Sequence, residues 1–498
     1  MDSLSLATIF LFISFVLLVV MTKHRKRSKG GKLPPGPWRL PIFGSIHHLV
    51  GRTYPLRRLR ELAKTYGPLM HVQLGEVSAI IASSPDMARA VLKTHDLAFA
   101  SRPKLMIAEI LFYKSSDILF SPYGEYWRQM RKFVVLELLS NKSVQGFGSI
   151  RRDELSRLME LVRSQEGRPV NLTEMVFRFT SAMTCRSAFG GILEQGDEFI
   201  THIKDVLILL GGFDVADIFP SLKFLHGLSP MRRRIMKIHR EVDAILNGVI
   251  HRHKCRSWNG EMGREDLIDV LLRLKCTDDD GIQFSITDEN IKAIVFDLFT
   301  AGTETSSMTI VWAMVEMLRS PRVFAKAQDE VRGAGREFDV EELKYMKLVV
   351  KETLRLHPPS PLSIPRECME ETEVEGYTIP AKAWVMVNAQ AISRDPAYWE
   401  DPESFVPERF DESSRGVDFM GSNFEFLPFG GGRRICPGLS FGLANVYLPL
   451  ANLLYHFDWN LPREPEYARS IDLTELPGIA AGKKDDLYLV PTPYTYTP

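Results

Sequence analysis

The stretch Phe429-Gly430-Gly431-Gly432-Arg433-Arg434-Ile435-Cys436-Pro437-Gly438 decides how the rest of the chain is interpreted. Its glycines allow the backbone to pass close to a flat partner. The run that follows, Leu439 to Tyr455, is apolar with a helical period, so Cys436 is predicted to lie at a helix N-terminus. The helix dipole, the backbone N–H groups and the charge of Arg434 would favour a thiolate there. A thiolate in this position is a strong ligand for iron.

The spacing F-x-x-G-x-R-x-C-x-G within this stretch resembles the haem-binding loop of the cytochrome P-450 family, the haem-thiolate monooxygenases. The resemblance implies that Cys436 is the axial ligand of the iron in haem b (iron protoporphyrin IX). It also implies that Phe429, Gly430 and Arg434 contact this cofactor. The alternative is a glycine turn that carries an ordinary buried cysteine.

Composition bounds the class of protein without naming a function. The 498 residues are 45% hydrophobic and 25% charged, which is enough for one very large core or for two to three domains. The chain has 62 Lys and Arg residues and 62 Asp and Glu residues, so it carries no net charge that would attract nucleic acid. The five cysteines form no C-x-x-C pair: Cys185, Cys255, Cys276, Cys368 and Cys436. This odd number and spacing argue against a disulfide scaffold or structural zinc site, and they fit a reducing compartment.

The N-terminal segment is predicted to anchor the chain in a membrane. Leu4 to Met21 carries no charge and is about 27 Å long as a helix, which just spans a bilayer core. We predict a signal-anchor transmembrane helix over residues 1–22, a basic stop-transfer segment with a proline-rich hinge over 23–37, and a catalytic domain over 38–498. The basic residues place that domain on the cytosolic side of the endoplasmic reticulum membrane, with a single pass. The alternative is a cleaved signal peptide; Asp2 and the lack of a cleavage motif argue against it.

A tryptophan and an arginine four residues apart, Trp127 and Arg131, lie on one face of a predicted helix. An indole N–H and a guanidinium group suit the two propionates of haem, and the family resemblance implies this role for them. The same resemblance places Arg366 near a propionate. The alternative for the pair is a half-buried tryptophan beside solvated arginines.

A long apolar helix is predicted over Thr287–Leu318, with its first residue as N-cap. It contains Ala301-Gly302-Thr303-Glu304-Thr305-Ser306, which is similar to the family's [AG]-G-x-[DE]-T-[TS] signature. Gly302 is expected to let the flat cofactor approach, and a local break in the hydrogen-bond ladder is expected to admit water. Thr305 and Glu304 then form an alcohol and acid pair that relays protons to the site of oxygen activation. The alternative is a packed kink with a solvated Glu304.

Two further motifs carry residues that are predicted to be structural. Glu352-Thr353-Leu354-Arg355 matches the family's E-x-x-R, and Pro407-Glu408-Arg409-Phe410 matches its P-E-R-F. An ion pair at i,i+3 is almost automatic on a helix, so the first motif alone says little. The resemblance implies that Arg409 joins Glu352 and Arg355 in a buried network that locks the chain before the cysteine loop.

Short strands and five segments around the expected pocket complete the pattern. Met70–Leu74, Ala79–Ala82 and parts of 359–388 are predicted to form small sheets. The pocket segments are dominated by Leu, Ile, Phe and Met, which suits a hydrophobic ligand; they are Arg102–Ser121, Phe213–Leu228, Ala293–Thr305, Pro361–Ile364 and Leu476–Ala481. The first is predicted to be a long loop over the haem. The second is predicted either to dip into the membrane surface or to be a core connector.

Together these motifs look most like those of the plant microsomal A-type branch of the cytochrome P-450 family, which makes specialised metabolites. The resemblance implies a mainly α fold with small β-sheets, a helical triangular prism that encloses haem between the long helix and the helix after Cys436. It also implies hydroxylation or a related oxidation of a hydrophobic plant metabolite with O2 and NADPH-derived electrons. A terpenoid is the favoured substrate, with alkaloids and phenylpropanoids as alternatives.

The chain contains no G-x-G-x-x-G dinucleotide fingerprint, so NADPH would act through a separate flavoprotein, NADPH-cytochrome P-450 reductase. The resemblance allows cytochrome b5 as a second electron donor, and basic residues such as Arg128 and Lys132 are the expected docking surface. Two other classes stay open: a reductase-independent haem-thiolate isomerase or dehydratase, and a non-catalytic haem or lipid-binding protein. The pair of Glu304 and Thr305 argues against the first of these.

Overall fold

The computed structural model describes residues 31–50, 55–191, 196–258, 266–276, 285–335, 338–411, 416–462, 471–476 and 478–495. The predicted anchor over 1–22 lies outside the described residues, as does most of the segment over 23–37. None of the helices within the described ranges is long and apolar enough to cross a membrane. The transmembrane helix therefore stays a prediction.

The described part of the chain is mainly α-helical, as predicted, with sixteen α-helices. In chain order they are α1 (Pro55–Tyr66), α2 (Pro85–Arg89), α3 (Met106–Leu111), α4 (Glu125–Val134), α5 (Asn141–Gly146), α6 (Gly148–Arg163), α7 (Leu172–Phe189), α8 (Gly196–Leu210), α9 (Val215–Ile218), α10 (Pro230–Trp258), α11 (Leu267–Cys276), α12 (Asp288–Arg319), α13 (Pro321–Gly333), α14 (Lys344–Leu356), α15 (Ala389–Ile392) and α16 (Leu439–His456). Short π turns follow α2 and α4.

The strands are short and form three small sheets. They are β1 (Leu69–Leu74), β2 (Val77–Ala82), β3 (Val170–Asn171), β4 (Arg366–Glu367), β5 (Thr372–Val374), β6 (Tyr377–Ile379), β7 (Trp384–Val387), β8 (Phe457–Asn460) and β9 (Tyr488–Pro493). Their orders are β1-β2-β7-β4, β3-β9-β8 and β5-β6. The predicted pair β1 and β2 is antiparallel, and β2 also pairs in parallel with β7, which is some 300 residues away, with Ile80 opposite Val385. The small sheets predicted over 359–388 are present.

The long helix α12 is the axis of the helical body. Its N-cap is Thr287, as predicted, and Asn290 completes a reciprocal capping box. Most of its side chains are buried on every face because α7, α14 and α16 pack around it. Ile291–Phe299 belongs to one large apolar cluster and Ile310–Met317 to a second. The signature over 301–306 therefore lies where the two cores meet.

The predicted break in α12 is wrong, because the helix is continuous from Asp288 to Arg319. Its hydroxyl side chains bond to carbonyls one turn earlier without opening the ladder. Thr300 Oγ1 donates to Phe296 O at 2.7 Å, and Thr309 Oγ1 donates to Thr305 O at 2.8 Å. Thr303 Oγ1 and Ser306 Oγ are exceptions, because they are buried without a hydrogen-bond partner among the described residues, so the helix satisfies only part of its polar stretch.

The segment over 101–121 is not a plain loop, since it contains α3. After that helix, Tyr113, Lys114 and Ser115 have φ of 48°, 63° and 58°, which makes a left-handed turn of non-glycine residues. The Tyr113 hydroxyl donates to Asp243 Oδ1 on α10 at 2.7 Å and holds this turn in place. No sequence pattern marks this turn, because none of its residues favours positive φ.

Candidate active site

Backbone hydrogen bonds and glycine hold the cysteine loop in shape. Cys436 N donates to Phe429 O at 3.0 Å. Gly432 has φ of 67°, and a Cβ built on it would lie 2.2 Å from Leu92 O, so glycine is required there. Cys436 comes two residues before Gly438, the N-cap of α16, which is the predicted position at a helix N-terminus.

Phe429 and Gly430 lie at the start of this loop. The ring of Phe429 meets the ring of Phe419 edge-on, with centroids 5.6 Å apart. Gly430 has φ of 71°, and a Cβ built on it would have no atom within 4 Å. This side of the loop therefore has room for the predicted contact with a flat cofactor.

The positive charge beside the sulfur belongs to Arg131. Burial raises the pKa of the Cys436 thiol, whereas the backbone N–H of Gly438 and the charge of Arg131 lower it. Arg434, which the sequence predicted for this role, donates instead to backbone carbonyls, among them Ala100 O at 2.7 Å. Iron binding would remove the thiol proton, because the thiolate is the form that binds metal.

The signature of α12 lies against the helix that follows Cys436. A Cβ on Gly442 of α16 would lie 3.7 Å from Ser306 Oγ, and a Cβ on Gly302 would lie 3.7 Å from a ring carbon of Phe441. Ala301 is exposed, although most of the turn of α12 before it is buried and Thr303 and Ser306 after it are buried too. An exposed residue in the middle of a mostly buried helix marks open space beside the signature, and the flat cofactor bound through Cys436 is predicted to occupy it.

Gly302 has a packing role that the sequence did not predict. The nearest atom to a Cβ built on this residue would be Thr184 Oγ1, at 3.2 Å. This contact is tighter than ordinary van der Waals distance, so glycine lets α7 pack closely on α12. The approach of the flat cofactor at Gly302 stays a prediction.

Thr305 and Glu304 face different sides of α12. The Thr305 hydroxyl donates to Ala301 O at 2.7 Å, and its lone pairs remain able to accept a hydrogen bond from the open space. Burial raises the pKa of Glu304 to about 8, although the charge of Lys204 on α8 lowers it. Glu304 Oε2 has no hydrogen-bond partner within the described residues. At neutral pH Glu304 is therefore a protonated acid that can donate a proton.

Three buried arginines form what we call the arginine cluster: Arg102, Arg366 and Arg434. Burial lowers the pKa of all three, and the charges of the other two lower the pKa of Arg102 further. The pKa of Arg434 falls to about 9. Their N–H groups donate mainly to backbone carbonyls: Arg102 to Ile364 O at 2.5 Å, and Arg366 to Gly431 O at 2.9 Å.

Acidic groups near the arginine cluster do not balance its charge. Asp96 accepts from Arg366 at 3.3 Å, and it also binds the half-exposed Arg433 at 2.8 Å. Burial raises the pKa of Asp297 to about 6, and burial with the charge of Asp297 raises that of Asp117 well above its usual range. One of these two aspartates is therefore held neutral.

Around the arginine cluster and the half-buried Arg131, positive charges outnumber the ionised carboxylates by at least two within the described residues, although the guanidinium N–H groups reach backbone carbonyls. Unpaired buried charge costs several kcal/mol, so the site favours an anion. Haem b carries two propionates, and the residues present therefore fit this cofactor.

Trp127 lies between two arginines. Its ring centroid is 4.0 Å from the guanidinium carbon of Arg434 and 5.5 Å from that of Arg131. Its Nε1–H donates to Ile118 O at 2.9 Å, and Arg131 donates to Ile435 O at 2.5 Å. In this structure the two predicted propionate donors thus bind backbone carbonyls, and the indole ring orients the guanidinium groups.

Glu352, Arg355 and Arg409 meet in one buried network. Arg355 binds both carboxylate oxygens of Glu352, at 2.7 and 2.8 Å, and Arg409 Nε donates to the same carboxylate at 3.0 Å. Arg355 also donates to three backbone carbonyls, those of Ser393, Pro402 and Ser404. The network thereby joins α14 to the segment before the cysteine loop. It touches neither the thiol nor the arginine cluster.

Two residues of the site were missed in the sequence analysis. Arg102 entered only as the first residue of a pocket segment; a lone arginine followed by the apolar run Leu105–Ala108 is the signal that could have singled it out. Asp96 joins Arg366 and the backbone N–H of Arg433, so it fixes the loop that carries Cys436. No motif marks Asp96, because its partners come from distant parts of the chain.

Fold and site together define a mainly helical protein in which a cysteine loop, buried arginines and a hydroxyl-bearing helix lie close together. The chain belongs to the cytochrome P450 family, whose model matches residues 34–481. This membership makes it a monooxygenase and implies haem as its cofactor.

Similar proteins place the chain in the plant A-type branch of that family. It is 62% identical to a premnaspirodiene oxygenase of Hyoscyamus muticus, over 99% of each chain. It is 58% identical to a 5-epiaristolochene 1,3-dihydroxylase of Nicotiana tabacum (99% of each) and 49% identical to a germacrene A hydroxylase of Tanacetum parthenium (98% of each). A zebra fish cytochrome P450 solved with progesterone has a TM-score of 0.73 and 25% identity, covering 89% of this chain and 100% of that one.

Proposed function

We propose that this monooxygenase hydroxylates a hydrophobic terpenoid. The observation that carries the proposal is the identity of 62% over 99% of the chain to a premnaspirodiene oxygenase. A dihydroxylase and a germacrene A hydroxylase among the similar proteins point the same way. The site geometry supports it, because the cysteine loop and the signature of α12 border one open space.

The apolar side chains of the predicted pocket segments suit such a substrate. Leu298, Leu362, Ile364 and Ile479 come from three of these segments, and all are partly buried against the first apolar cluster. Burying apolar surface stabilises a bound hydrocarbon by about 25 cal/mol per Å². A substrate with few polar atoms therefore loses little hydration on entering.

The residues of the chain divide the chemical work. Haem, when bound, activates O2 with two electrons, and the thiolate of Cys436 favours O–O cleavage. The arginine cluster with Arg131 would hold the cofactor through its propionates. Glu304, protonated at neutral pH, supplies protons, and the hydroxyl of Thr305 holds the proton donor at the open space.

Reconstituted enzyme tests the proposal directly. Premnaspirodiene, 5-epiaristolochene and germacrene A, with an alkaloid and a phenylpropanoid panel, would be supplied to membranes that contain the protein and a reductase. We expect oxygenated terpenoids by mass spectrometry only when NADPH and reductase are both present. Oxidation of the alkaloids or phenylpropanoids alone would overturn the substrate class. Turnover without reductase would instead favour a haem-thiolate isomerase or dehydratase.

Thr305→Ala tests the proton relay. We expect electrons from NADPH to be diverted to hydrogen peroxide, so that less product forms per NADPH consumed. Thr309→Ala is a matched control, because its hydroxyl also donates to a carbonyl one turn earlier. Equal coupling in the Thr305 variant and the wild type would remove Thr305 from the relay.

We further propose that electrons arrive from NADPH-cytochrome P450 reductase, with cytochrome b5 as a second donor, on the outer face of α4. Arg128 and Lys132 are exposed there, while Arg131 on the same helix reaches Ile435 beside the thiol. An acidic partner on this face would be close to the cysteine loop. Charge reversal at Lys132 should slow reduction and weaken its salt dependence; unchanged kinetics would refute the docking site.

The proposed location is the endoplasmic reticulum membrane, with residues 1–22 as anchor, 23–37 as stop-transfer segment and hinge, and 38–498 in the cytosol. Large exposed apolar side chains support contact with lipid: Trp38 is 60% exposed, Phe43 57% and Phe224 77%. Trp38 and Phe43 follow the hinge. Phe43 O accepts a hydrogen bond from Gly75 N, and the next residue, Glu76, is hydrogen-bonded to Ile218 and Ser221, which come shortly before Phe224. Removing residues 1–22 should release the protein from membranes only in part. Changing Trp38, Phe43 and Phe224 to serine in the truncated protein should complete the release. Full release by the truncation alone would contradict the lipid contact of this surface.

A further inference from the structure

A buried histidine lies where the end of α14 meets α12. His357 Nε2 is 2.9 Å from Glu316 Oε1, and its Nδ1 is 3.7 Å from Glu475 Oε1. The imidazole stacks flat on the indole of Trp312, with centroids 3.9 Å apart and 2° between the ring planes. All three polar side chains are less than a tenth exposed. We call His357, Glu316, Glu475 and Trp312 the histidine node.

Other charged and polar groups complete its surroundings. Arg319 Nη1 lies 3.3 Å from Glu316 Oε2, and Gln390 Nε2 donates to Glu475 Oε2 at 3.1 Å. The charge of Arg394 also faces Glu475. His357 Nε2 can share a hydrogen bond with the Glu316 carboxylate while its Nδ1 faces Glu475, so the imidazole lies between α12 and Glu475.

Glu475 belongs to the C-terminal hairpin, by which we mean residues 474–476 and 478–484. Leu476 N donates to Gly482 O at 2.7 Å and closes the hairpin. Trp312 Nε1 donates to Ala481 O at 3.1 Å, so a second residue of the node holds the other side of it. The hairpin is thus fixed to α12 at two points.

Two residues bonded to the node, Ala481 and Gln390, also hold the chain that follows His357. Ala481 N donates to Pro359 O at 3.0 Å, and Gln390 N donates to Pro361 O at 3.1 Å. Gln390 therefore joins Glu475 to the start of the segment Pro361–Ile364. Both predicted pocket segments of the C-terminal half meet at this one place.

The hairpin is closely packed against α12 and the end of α8. A Cβ on Gly482 would lie 2.7 Å from Met308 Cε, and Met308 is three residues after Thr305 on α12. A Cβ on Gly211, just after α8, would lie 2.2 Å from Gly478 Cα. The hairpin therefore contacts α12 on one side and the end of α8 on the other.

We infer that His357 is a positioning residue that determines which carbon of the substrate is oxidised. It does so by fixing the C-terminal hairpin and Pro361–Ile364 on the helix that carries Thr305. The inference rests on the proposed function in so far as these segments face a terpenoid. His357 is proposed to act through these segments and not by contacting the substrate or the cofactor.

The chain offers a matched control. His253 is also buried, and its Nε2 lies 2.9 Å from the buried Asp266 Oδ2. This second pair joins α10 to the start of α11, and among the described residues its hydrogen-bond partners lie outside the hairpin and Pro361–Ile364. His253→Gln therefore removes the same kind of interaction and leaves the contacts of His357 and the hairpin in place.

Product analysis is the first test. His357→Gln and Glu475→Gln would be compared with His253→Gln and the wild type, on the terpenoid that the wild type oxidises. We expect the ratio of hydroxylation products to shift at least about threefold in the first two variants, with the carbon monoxide difference spectrum retained. The control should keep the wild-type ratio. An unchanged ratio in both node variants would overturn the inference.

Amide hydrogen exchange is the second test and needs no substrate. Loss of either side of the contact between His357 and Glu475 should raise exchange at Leu476 and Ala481 by about tenfold or more in both node variants, and not in His253→Gln. If no terpenoid is oxidised but the exchange rises, the proposed substrate is wrong while the anchoring by His357 stands. If exchange is unchanged, the anchoring is wrong whatever the substrate. Glu475→Gln keeps the test valid should His357→Gln fail to fold.

Discussion

Two buried groups of charged residues in this protein differ in how their charge is balanced. In the network of Glu352, Arg355 and Arg409, a carboxylate with no exposed surface binds two guanidinium groups, and backbone carbonyls accept the remaining N–H groups. In the arginine cluster, the three guanidinium groups donate mainly to backbone carbonyls, and Arg366 also contacts Asp96, which it shares with Arg433 outside the cluster. The first group is satisfied by the polypeptide, and the second is not.

The difference separates residues that hold the fold from residues that hold a cofactor. A satisfied network stabilises the chain as it stands, and removing one member leaves a buried charge. A cluster with excess positive charge destabilises the folded chain until an anion binds. Neutralising that charge therefore contributes to the affinity for the cofactor. The four predictions below test this contrast, from the largest expected effect to the smallest.

Cys436→Ala leaves both charged groups intact and removes only the thiolate. We expect complete loss of the carbon monoxide spectrum of thiolate-ligated haem and of product formation. Cys368→Ala, at a buried cysteine near Glu370, is the control and should keep both. If the thiolate spectrum survived in Cys436→Ala, the assigned iron ligand would be wrong.

Glu352→Gln breaks the satisfied network. Because Arg355 and Arg409 keep their buried charges, the free energy of unfolding should fall by about 3–5 kcal/mol. Denaturant titration of the haem-free and haem-bound protein would measure it. Glu61→Gln removes an exposed i,i+3 partner of Arg58, and its effect should stay below about 1 kcal/mol. Equal, small effects of both variants would show that the network does not hold the fold.

Arg434→Leu reduces the excess charge of the arginine cluster. The unfolding free energy of the haem-free protein should stay the same or rise, whereas haem affinity should fall by about 1.5–3 kcal/mol, roughly tenfold to a hundredfold. Transfer of haem to an acceptor globin would measure the affinity. Arg433→Leu, at the half-exposed neighbour, should change it less. A large loss of stability in the haem-free Arg434 variant would contradict the contrast between the two groups.

Glu304→Gln tests the buried acid beside Thr305. The pKa of Glu304 is raised from 4.5 to about 8, so its protonated form is favoured in the folded state. Its contribution to stability is complete below pH 4.5 and is lost as the pH rises through 8. Between pH 7 and 8 we expect the wild type to lose about 1 kcal/mol more than the variant, by urea titration. Glu160→Gln, at an exposed site on α6, should follow the wild type; equal pH dependence of all three would refute the raised pKa.

Local sequence patterns predicted much of the fold because they depend on neighbours along the chain. The N-cap Thr287, the strands β1 and β2, and the position of Cys436 before α16 follow from residues a few places apart. The break predicted in α12 failed because propensity was weighed without the packing of α7 and α16 around that helix.

The sequence by itself determined the family, the candidate iron ligand and the motif residues of the site. Only the tertiary structure decided which charges meet: Arg131, and not Arg434, lies beside the sulfur, Arg102 and Asp96 join the site, and His357 meets Glu475 across the fold. The physical reason is that a pair of charges is defined by distance in space. Residues hundreds of positions apart leave no local pattern when they form such a pair.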